Sequence, residues 1–493
     1  MAAKKFPFIT DGIHGDVPNG FYPAADSDRQ VILYPSPGLK ALCTLTDCSE
    51  VRGLYAWGKY LYAVARRGGQ SVLWRVDTSG GFSELGTITT STTGPVWIVN
   101  NLTQLCVCDG VWAYVYTPST GSFVKISDPA FPGASSVDYQ DGYGLFTKPN
   151  SNQWFFSSLF DFLTFNALDF YSKESRPDNI VSLFSYKREP LIGGQTSIEV
   201  WYNQGGDNTS PQNATFARNV GGVIEHGFGS AKCIADMGGD ALVFLSDEGQ
   251  LLTVSGYQTQ PVSNQMFDRE VKTYSTYADA QCFSYREGGH IFYQITFPTA
   301  GVTWVFDATT KLFHKRQSFL DGSPEFGRHR ANCYALLNNS HWVGDYENGK
   351  IYEMAPGYYD DDGKEIRREI YSQNMDGGLS RIFFPPVQVS VEGGVGLIGG
   401  STSGYFEPGY FTPGYFEDGT TVKAGVDPQI MLQYSGDNGH TWSNEMWQSA
   451  GKIGEYGNRA IWHRQGSGFR RMYRLAFSDP VLWRVLGIDT GLG

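Results

Sequence analysis

The sequence lacks the long apolar segments that mark membrane-spanning or secreted chains. Its 493 residues contain no run of about 18 apolar residues, the length that a helix needs to cross a bilayer. The N-terminal stretch MAAKKFPFITDG also lacks the apolar core of a signal peptide. We therefore expect a protein that is made in a cytoplasm and spans no membrane.

Positive charge is scarce as well. The chain has 38 Lys and Arg against 50 Asp and Glu, a formal net charge of -12. A clamp around the phosphate backbone needs clustered cations, so the molecule as a whole is not such a clamp. Residues 451–493 depart from this balance with seven Lys or Arg and three Asp or Glu. A solvated surface or a subunit interface is favoured there over a nucleic-acid site.

Cysteines are few and scattered, and motifs for metals or cofactors are missing. The seven cysteines show no pairing or histidine cluster at zinc-finger spacing, so reduced, mostly buried thiols are expected. The run from Asp360 to Asp362 lacks the alternating ligands and distal Glu of a calcium loop and is interpreted as a solvated turn. No G-x-S-x-G or phosphate-loop signature occurs. The sequence thus predicts no metal, no cofactor and no catalytic residue.

Residues typical of short strands and tight turns are abundant. Hydrophobic residues make up 41% of the chain and aromatic residues 15%, and 60 glycines stand beside 23 prolines. Aromatic side chains favour pleated surfaces, while Gly and Pro punctuate them. This composition predicts an all-β protein. Its length exceeds that of a single core, so two or more folded units are expected.

One hairpin unit recurs between about residue 50 and residue 356. Its clearest copies start at residues 59 (KYLYAVARRGGQSVLWRV), 105 (LCVCDGVWAYVYTPSTGSFVKI), 241, 290 and 341. The separations of 46 (59 to 105), 49 (241 to 290) and 51 (290 to 341) are near the length of a propeller blade. We predict a β-propeller of six or seven blades, with a pair of β-sandwiches as the alternative. Residues that tolerate positive φ are expected in the turns Asp109-Gly110, Glu248-Gly249 and Asn348-Gly349.

The character of the chain changes on both sides of these hairpins. Residues 1–50 are rich in turns, as in DVPNGFYP and YPSPGL, and are predicted to form an arm. Residues 51–356 are assigned to the propeller. Residues 357–493 are predicted to form a second β-rich domain, alone or together with the N-terminal arm. That domain includes the loop 404–419, in which GYFEPGYFTPGYFEDG repeats nearly the same five residues three times.

The segment SGDNGHTW matches the Asp-box pattern S-x-D-x-G-x-T-W, which occurs in sialidases and other β-rich proteins. Its members are Ser435, Asp437, Gly439, Thr441 and Trp442. The aspartate can accept hydrogen bonds from the amides of its own turn, and the tryptophan can pack under the hairpin. The motif predicts a structural β-hairpin and gives little support to an enzyme.

Two glutamates in apolar strands are candidate catalytic residues. Glu199 lies in TSIEVWY and Glu225 in GVIEHGF. A glycosidase needs two carboxylates across a sugar, or a tyrosine nucleophile with arginines. A carboxylate in such a strand is more often paired with a neighbouring cation or a turn amide, and this is the interpretation that we favour.

The order of the hairpins resembles a known family. SRPDNIVSLFSYKREPLIGGQTSIEVWYNQGG, GGVIEHGFGSAKCIADMGGDALVFLSDEG, GGHIFYQITFPTAGVTWVFDATTKLFHKR and HWVGDYENGKIYEM look like successive segments of the packaged-DNA stabilisation proteins. RQVILYPSPGLK, SGDNGHTWSNE and AIWHRQGSGFRRMYRL also resemble that family, from about Arg29 to about Val485. These are the tail hub, or nozzle, proteins of short-tailed bacteriophages. Phe313 stands where such proteins often carry Trp, and the GYFEP repeat looks like an insertion of this branch.

The resemblance implies a non-enzymatic component of the virion tail, assembled in the host cytoplasm. Such a protein would form a ring, expected to be a homohexamer, below the portal and its adaptor proteins. It would extend the DNA channel, retain the packaged genome and anchor tail needle, spike or fibre proteins. Double-stranded DNA would pass through during ejection without sequence-specific binding, and an acidic wall would repel its phosphates.

In such a ring the aromatic repeat has a place to be buried. Adjacent Tyr and Phe residues point to opposite faces of an extended strand, and each Pro-Gly or Asp-Gly interrupts it. Six exposed rings would be a liability on a monomer. We therefore predict contact with a neighbouring subunit or tail protein for Tyr405, Phe406, Tyr410, Phe411, Tyr415 and Phe416.

Two functions of other classes are the alternatives. A receptor-binding or glycan-binding propeller, with or without glycoside hydrolase activity, is compatible with the Asp box and with aromatic faces that stack on sugars. A generic propeller scaffold of a host cell is the other, and it predicts no association with virions.

Overall fold

The computed structural model describes residues 4–5, 20–25, 31–210, 213–239, 241–396 and 425–490. The chain divides into two compact units. The larger, called the propeller unit below, comprises Leu39–Lys311 and Arg316–Ala355. The smaller, called the second unit, comprises Met1–Gly38, Leu312–Lys315 and Pro356–Gly493.

The described strands of the propeller unit form seven β sheets, or blades. They follow the N-terminal strands β1 (Lys4–Lys5), β2 (Phe21–Ala25), β3 (Val31–Pro35) and β4 (Gly38–Thr44). Blade one is β5 (Glu50–Trp57), β6 (Tyr60–Arg67), β7 (Gln70–Val76) and β8 (Phe82–Ile88), and blade two is β9 (Trp97–Asn100), β10 (Leu105–Cys108), β11 (Ala113–Thr117) and β12 (Ser122–Lys125). Blade three is β13 (Ser136–Gln140), β14 (Tyr143–Thr147), β15 (Gln153–Ser158) and β16 (Asp161–Ser172). Blade four is β17 (Ile180–Tyr186), β18 (Glu189–Gly194), β19 (Ile198–Asn203) and β20 (Phe216–Ile224).

The last three blades include a short helix and an N-terminal strand. Blade five is β21 (Ile234–Gly238), β22 (Ala241–Leu245), β23 (Leu251–Ser255) and β24 (Gln258–Pro261), followed by α1 (Gln265–Val271). Blade six is β25 (Gln281–Glu287), β26 (His290–Phe297), β27 (Val302–Asp307) and β28 (Leu312–Phe319), extended by β29 (Phe326–Arg328). Blade seven is β30 (Ala331–Leu337), β31 (Ser340–Asp345), β32 (Lys350–Ala355) and β4.

The first strands of the blades contact one another around a common axis. Strand β5 contacts both β9 and β30, β13 contacts β9 and β17, and β25 contacts β21 and β30. The ring closes in blade seven, where β4 pairs with β32 and the Leu45 amide donates to the Gly349 carbonyl at 2.8 Å. The prediction of an all-β propeller with six or seven blades is confirmed, and the described residues form seven blades.

Two of the three predicted turns use positive φ, and the third uses glycine for another reason. Gly110 and Gly249 have φ values of +91° and +76°, as hairpin turns demand. Gly349 does not share this conformation. A Cβ there would come within 2.7 Å of the Cys48 Cβ and 2.9 Å of the Leu45 carbonyl oxygen, so close approach of the closing strand requires glycine.

The hydrophobic core of the propeller unit lies between adjacent blades. Between blades three and four, one buried cluster joins Leu145, Trp154, Phe156, Ile180, Leu183, Ile192, Trp201 and Phe216. Similar clusters join blades one and two, two and three, and seven and one. Blades one, two and three are therefore each stabilised by both neighbours, and an interruption of the ring there would expose two such faces.

The described part of the second unit is built mainly from two β sheets. Its further strands are β33 (Asp360–Asp361), β34 (Lys364–Glu365), β35 (Arg368–Tyr371), β36 (Met375–Asp376), β37 (Ile382–Phe383), β38 (Val387–Val391), β39 (Gln429–Ser435), β40 (Met446–Ser449), β41 (Ala460–Trp462), β42 (Ser467–Gly468), β43 (Arg470–Phe477) and β44 (Val485–Thr490). One sheet runs β2-β3-β44-β38-β41 and the other β35-β43-β39-β40. Buried residues of both sheets, such as Leu33, Val387, Ile430 and Phe477, share one core. N-terminal strands thus belong to this domain.

Candidate functional site

A small cavity lies on the axis of the propeller unit. Its volume is about 240 Å³, and its lining comes from the first strands of the blades and the residues next to them, among them Tyr55, Trp97, Asp138, Lys232 and Tyr334. Liquid water occupies about 30 Å³ per molecule, so the cavity holds only a handful of waters. A DNA duplex, whose major groove alone is about 12 Å wide, does not fit along this axis.

Lys232 spans the axis of the propeller unit. It stands just before the first strand of blade five, and its ammonium donates to the Val96 carbonyl of blade two at 2.7 Å. The Nζ atom is 5.7 Å from the centre of the Trp97 ring, a favourable cation–π position. No carboxylate within the described residues lies within 4 Å of it, and burial lowers its pKa. Because blades two and five are on opposite sides of the ring, this side chain acts as a strut across the cavity.

Asp138 is the carboxylate of the cavity lining. Its oxygens accept hydrogen bonds from the Ser185 amide at 2.7 Å and the Tyr139 amide at 2.8 Å. Burial raises its pKa to about 6. The described lining offers one lysine and one aspartate but no second carboxylate, so it lacks the carboxylate pair of most glycoside hydrolases.

Glu199 is fully buried in β19 and occupied by hydrogen bonds. It accepts from the Glu174 amide at 2.8 Å, the Ser175 amide at 2.6 Å and the Trp201 indole at 3.1 Å, and Arg218 lies 3.5 Å away. Burial by itself would raise the pKa of Glu199, but these hydrogen bonds outweigh it and hold the pKa below its usual value. The carboxylate therefore anchors the segment between blades three and four as an anion.

Glu225 is exposed and forms an ion pair with Arg176. Both glutamates thus have the partners that are typical of a carboxylate in an apolar strand, namely a cation or a turn amide. The lowered pKa of Glu199 is the opposite of what the general acid of a glycoside hydrolase requires.

The Asp-box residues form a closed network of hydrogen bonds at the end of β39. The Ser435 hydroxyl donates to Asp437 Oδ1 at 2.6 Å and accepts from the Gly439 amide at 2.8 Å. The Thr441 amide and hydroxyl donate to Asp437 at 2.8 and 2.6 Å. The Ser435 hydroxyl first, and the Thr441 groups next, hold the pKa of Asp437 well below its usual range. Gly439 has a φ of +91°, which bulky residues rarely adopt.

Trp442 completes this turn in the second unit. Its ring meets Tyr371 edge-on at 5.9 Å, and the Arg474 guanidinium lies 4.8 Å from its centre. Both carboxylate oxygens of Asp437 are engaged within the turn, so the arrangement stabilises a hairpin and leaves no carboxylate for a ligand.

Other predicted features have simple positions. Asp360 and Asp361 form β33, and Asp362 has a φ of +53° in the turn that follows. Across the described ranges, no three His, Cys, Asp or Glu side chains are grouped to hold a metal ion. In the same part of the chain, no helix has the length and apolar character needed to cross a membrane. The six rings from Tyr405 to Phe416 lie outside the described residues.

Sequence reasoning missed the axial strut. Lys232 stands in GSAKCIAD, where a lysine before an apolar strand looks like an ordinary surface residue. Its partner is 136 positions away in the chain, so no local pattern points to it.

Comparison with known proteins identifies two family models along the chain. The model described as bacteriophage P22 Gp10, beta-propeller, matches residues 27–358. The model described as bacteriophage P22 Gp10, beta-sandwich, matches residues 415–490. No curated protein matches the chain.

Several solved structures share a distant likeness. The extracellular domain of the one-component system BT4673 from B. thetaiotaomicron is 11% identical, with a TM-score of 0.42, over 71% of this chain and 43% of that one. PorZ of Porphyromonas gingivalis is 11% identical, with a TM-score of 0.39, over 70% and 44%. The N-terminal domain of Nup159 is 7% identical, with a TM-score of 0.42, over 69% and 99%. The chain thus spans less than half the length of the first two.

Proposed function

Because this chain belongs to the bacteriophage P22 Gp10 family of phage tail hub proteins that stabilise packaged DNA, we propose that it forms a closed ring around the DNA exit path. The observation that carries this proposal is the order of the two matches, a propeller over residues 27–358 and a sandwich over 415–490. The family is structural. The chain belongs to the phage tail, together with other virion proteins and DNA.

The dimensions of the propeller support a channel between chains. A cavity of about 240 Å³ crossed by Lys232 has no room for a duplex. DNA therefore passes beside the propellers, along a wall built by several copies. The net charge of -12 suits such a wall, since it repels phosphates and lets the duplex slide.

The finer assignments follow the same proposal. The ring is a homohexamer that docks on the portal adaptor proteins and holds the needle, spike or fibre proteins of the tail. The chain is folded in the host cytoplasm and has no catalytic activity. The engaged carboxylates of Glu199 and Asp437 support the last point. These engaged carboxylates also give no support to a glycoside hydrolase. The family match favours the tail hub over a receptor-binding propeller.

Electron microscopy of the virion tests this function. We expect a ring of seven-bladed propellers around the DNA density in the tail, with six copies of the chain. The copy number is counted in a reconstruction without imposed symmetry, and symmetry averaging follows only after that count. Antibody labelling of the chain on intact virions provides the control for identity. A chain absent from the tail would overturn the function, while another copy number would correct only the hexamer.

Deleting residues 404–418 is expected to weaken assembly and leave both units folded. The reason is that six aromatic rings, predicted to be buried against a neighbour, would be removed from that contact. Assembly is measured by sedimentation velocity, and folding by circular dichroism and thermal unfolding. A full-length variant with all six rings replaced by serine controls for the loss of length. Unchanged assembly combined with lost adsorption to host cells would replace this proposal with a receptor-binding role.

A further inference from the structure

An apolar surface with basic flanks is exposed on the second unit. Leu379 is fully exposed, Phe383 is 85% exposed and Phe469 is 55% exposed. Large apolar side chains in such a group mark interaction sites on soluble proteins. We call Leu379, Phe383 and Phe469, together with Arg381, Arg464 and Arg470, the basic patch.

The backbone under the basic patch is firmly paired, so the exposure is built into the fold. Strand β37 pairs with β42, with Phe383 opposite Ser467. The Gly377 amide donates to the Phe469 carbonyl at 2.8 Å, and the Phe384 amide donates to the Gly466 carbonyl at 2.9 Å. The three side chains are therefore presented on a preformed surface, which lowers the entropic cost of docking.

Unpaired cations flank these side chains. Arg381 and Arg464 are exposed, and neither has a carboxylate within 4 Å in the described part of the chain. Arg470 lies beside Phe469 and is 3.9 Å from Asp376. The basic patch thus carries an excess of positive charge on a chain whose net charge is -12.

A surface of opposite charge lies on the propeller unit. Leu168 and Phe170, 73% and 44% exposed, stand on β16, the outer strand of blade three. The Asn208 side chain donates to the Leu168 carbonyl at 3.2 Å and to Asp169 at 2.9 Å, which holds the next loop against this strand. Within the described ranges, neither Asp169 nor the exposed Asp207 has a cation within 4 Å. We call Leu168, Asp169, Phe170 and Asp207 the acidic ridge.

We propose that the basic patch of one copy of this chain binds the acidic ridge of the next copy. Apolar side chains on both surfaces supply the burial, while the unpaired arginines and aspartates set the register and disfavour wrong partners. A two-fold contact would place the cations of one basic patch against those of another. Two different surfaces instead give a head-to-tail contact, the kind that builds rings.

This interface rests on the proposed function, in which copies of the chain stand side by side in the tail. Its test uses two double variants of the full chain. Leu379→Ser with Phe383→Ser disables the basic patch, and Leu168→Ser with Phe170→Ser disables the acidic ridge. All four side chains are exposed, so both variants should fold like the parent protein. Val220→Ser, at an exposed position outside both surfaces, is the matched control.

Sedimentation velocity over a concentration series is the measurement. We expect the parent and Val220→Ser to assemble, and each double variant alone to associate at least about tenfold more weakly, a loss near 1.4 kcal/mol. An equimolar mixture of the two double variants should form a one-to-one pair and nothing larger, since each pair retains one intact contact. Added salt should weaken the parent assembly.

Three results would overturn the interface: a parent chain that stays monomeric, a double variant that assembles like the parent, or a mixture that forms no pair. Recovery of a different virion protein on the basic patch, with self-association unaffected, would likewise overturn it. The function is judged separately in the virion. A chain located in the tail whose mixture forms no pair loses this interface alone, whereas a chain absent from the tail loses the function.

Discussion

Replacing Trp154 by alanine is expected to lower the free energy of unfolding of the propeller unit by about 3–5 kcal/mol. Trp154 is fully buried between blades three and four, and its ring lies 5.2 Å from Tyr171, 5.3 Å from Trp201 and 5.4 Å from Phe216. Removal of the indole leaves a cavity lined by rigid rings, which collapses poorly. Denaturant unfolding monitored by near-UV circular dichroism measures the change.

Two variants sharpen this test. Trp447→Ala removes a half-exposed ring from the second unit and is expected to change stability by less than about 0.5 kcal/mol. Trp154→Phe should cost less than Trp154→Ala, because it keeps an aromatic ring and removes an indole N–H that has no hydrogen-bond partner among the described residues. Equal losses for Trp154→Ala and Trp447→Ala would contradict the assignment of the propeller core to the contacts between blades.

Acid is expected to destabilise the propeller unit through His329. The ring is buried, and burial lowers its pKa to about 3, helped by the Arg316 and Arg330 cations. Between pH 6.5 and 3 the unfolded chain binds a proton that the folded chain refuses, so stability falls as pH falls through this window. A shift of this size corresponds to about 4 kcal/mol by pH 3.

Two buried carboxyl groups change the stability with pH in the opposite direction, so their effect must be separated from that of His329. Burial raises the pKa of Asp138 to about 6 and that of Glu287 to about 7. These folded carboxyls bind protons more readily than unfolded ones, so their contribution to stability falls as pH rises through this region. A comparison of the parent with His329→Gln cancels both effects.

The difference between these two proteins is the quantity to measure. Glutamine retains polar atoms for the Gln294 side chain, which lies 3.3 Å from the His329 ring nitrogen. We expect the variant to gain stability relative to the parent as pH falls from 7 to 4, measured by denaturant unfolding at each pH. A difference that stays constant over this range would show that His329 is not the group that refuses the proton.

Features whose bonds lie within a few residues were predictable. The Asp-box turn closes between Ser435 and Thr441, so the spacing alone suggested its hydrogen bonds. The hairpins of the propeller likewise follow from strand alternation and turn residues such as Gly110. Together with family-like segments in a constant order, these local signals determined an all-β propeller and a second β domain.

Tertiary structure decided what depends on residues far apart in the chain. The seventh blade needs β4 beside β32, with the Leu45 amide bonded to Gly349 some 300 positions later. Lys232 reaches Val96 across the axis, and the tertiary structure leaves Leu168 and Leu379 exposed while it buries most other apolar side chains. Local propensity acts over a turn or a strand, whereas the closed ring and the contact of Lys232 with Val96 form only when faces of different blades are buried against one another, and this burial depends on residues far apart in the chain.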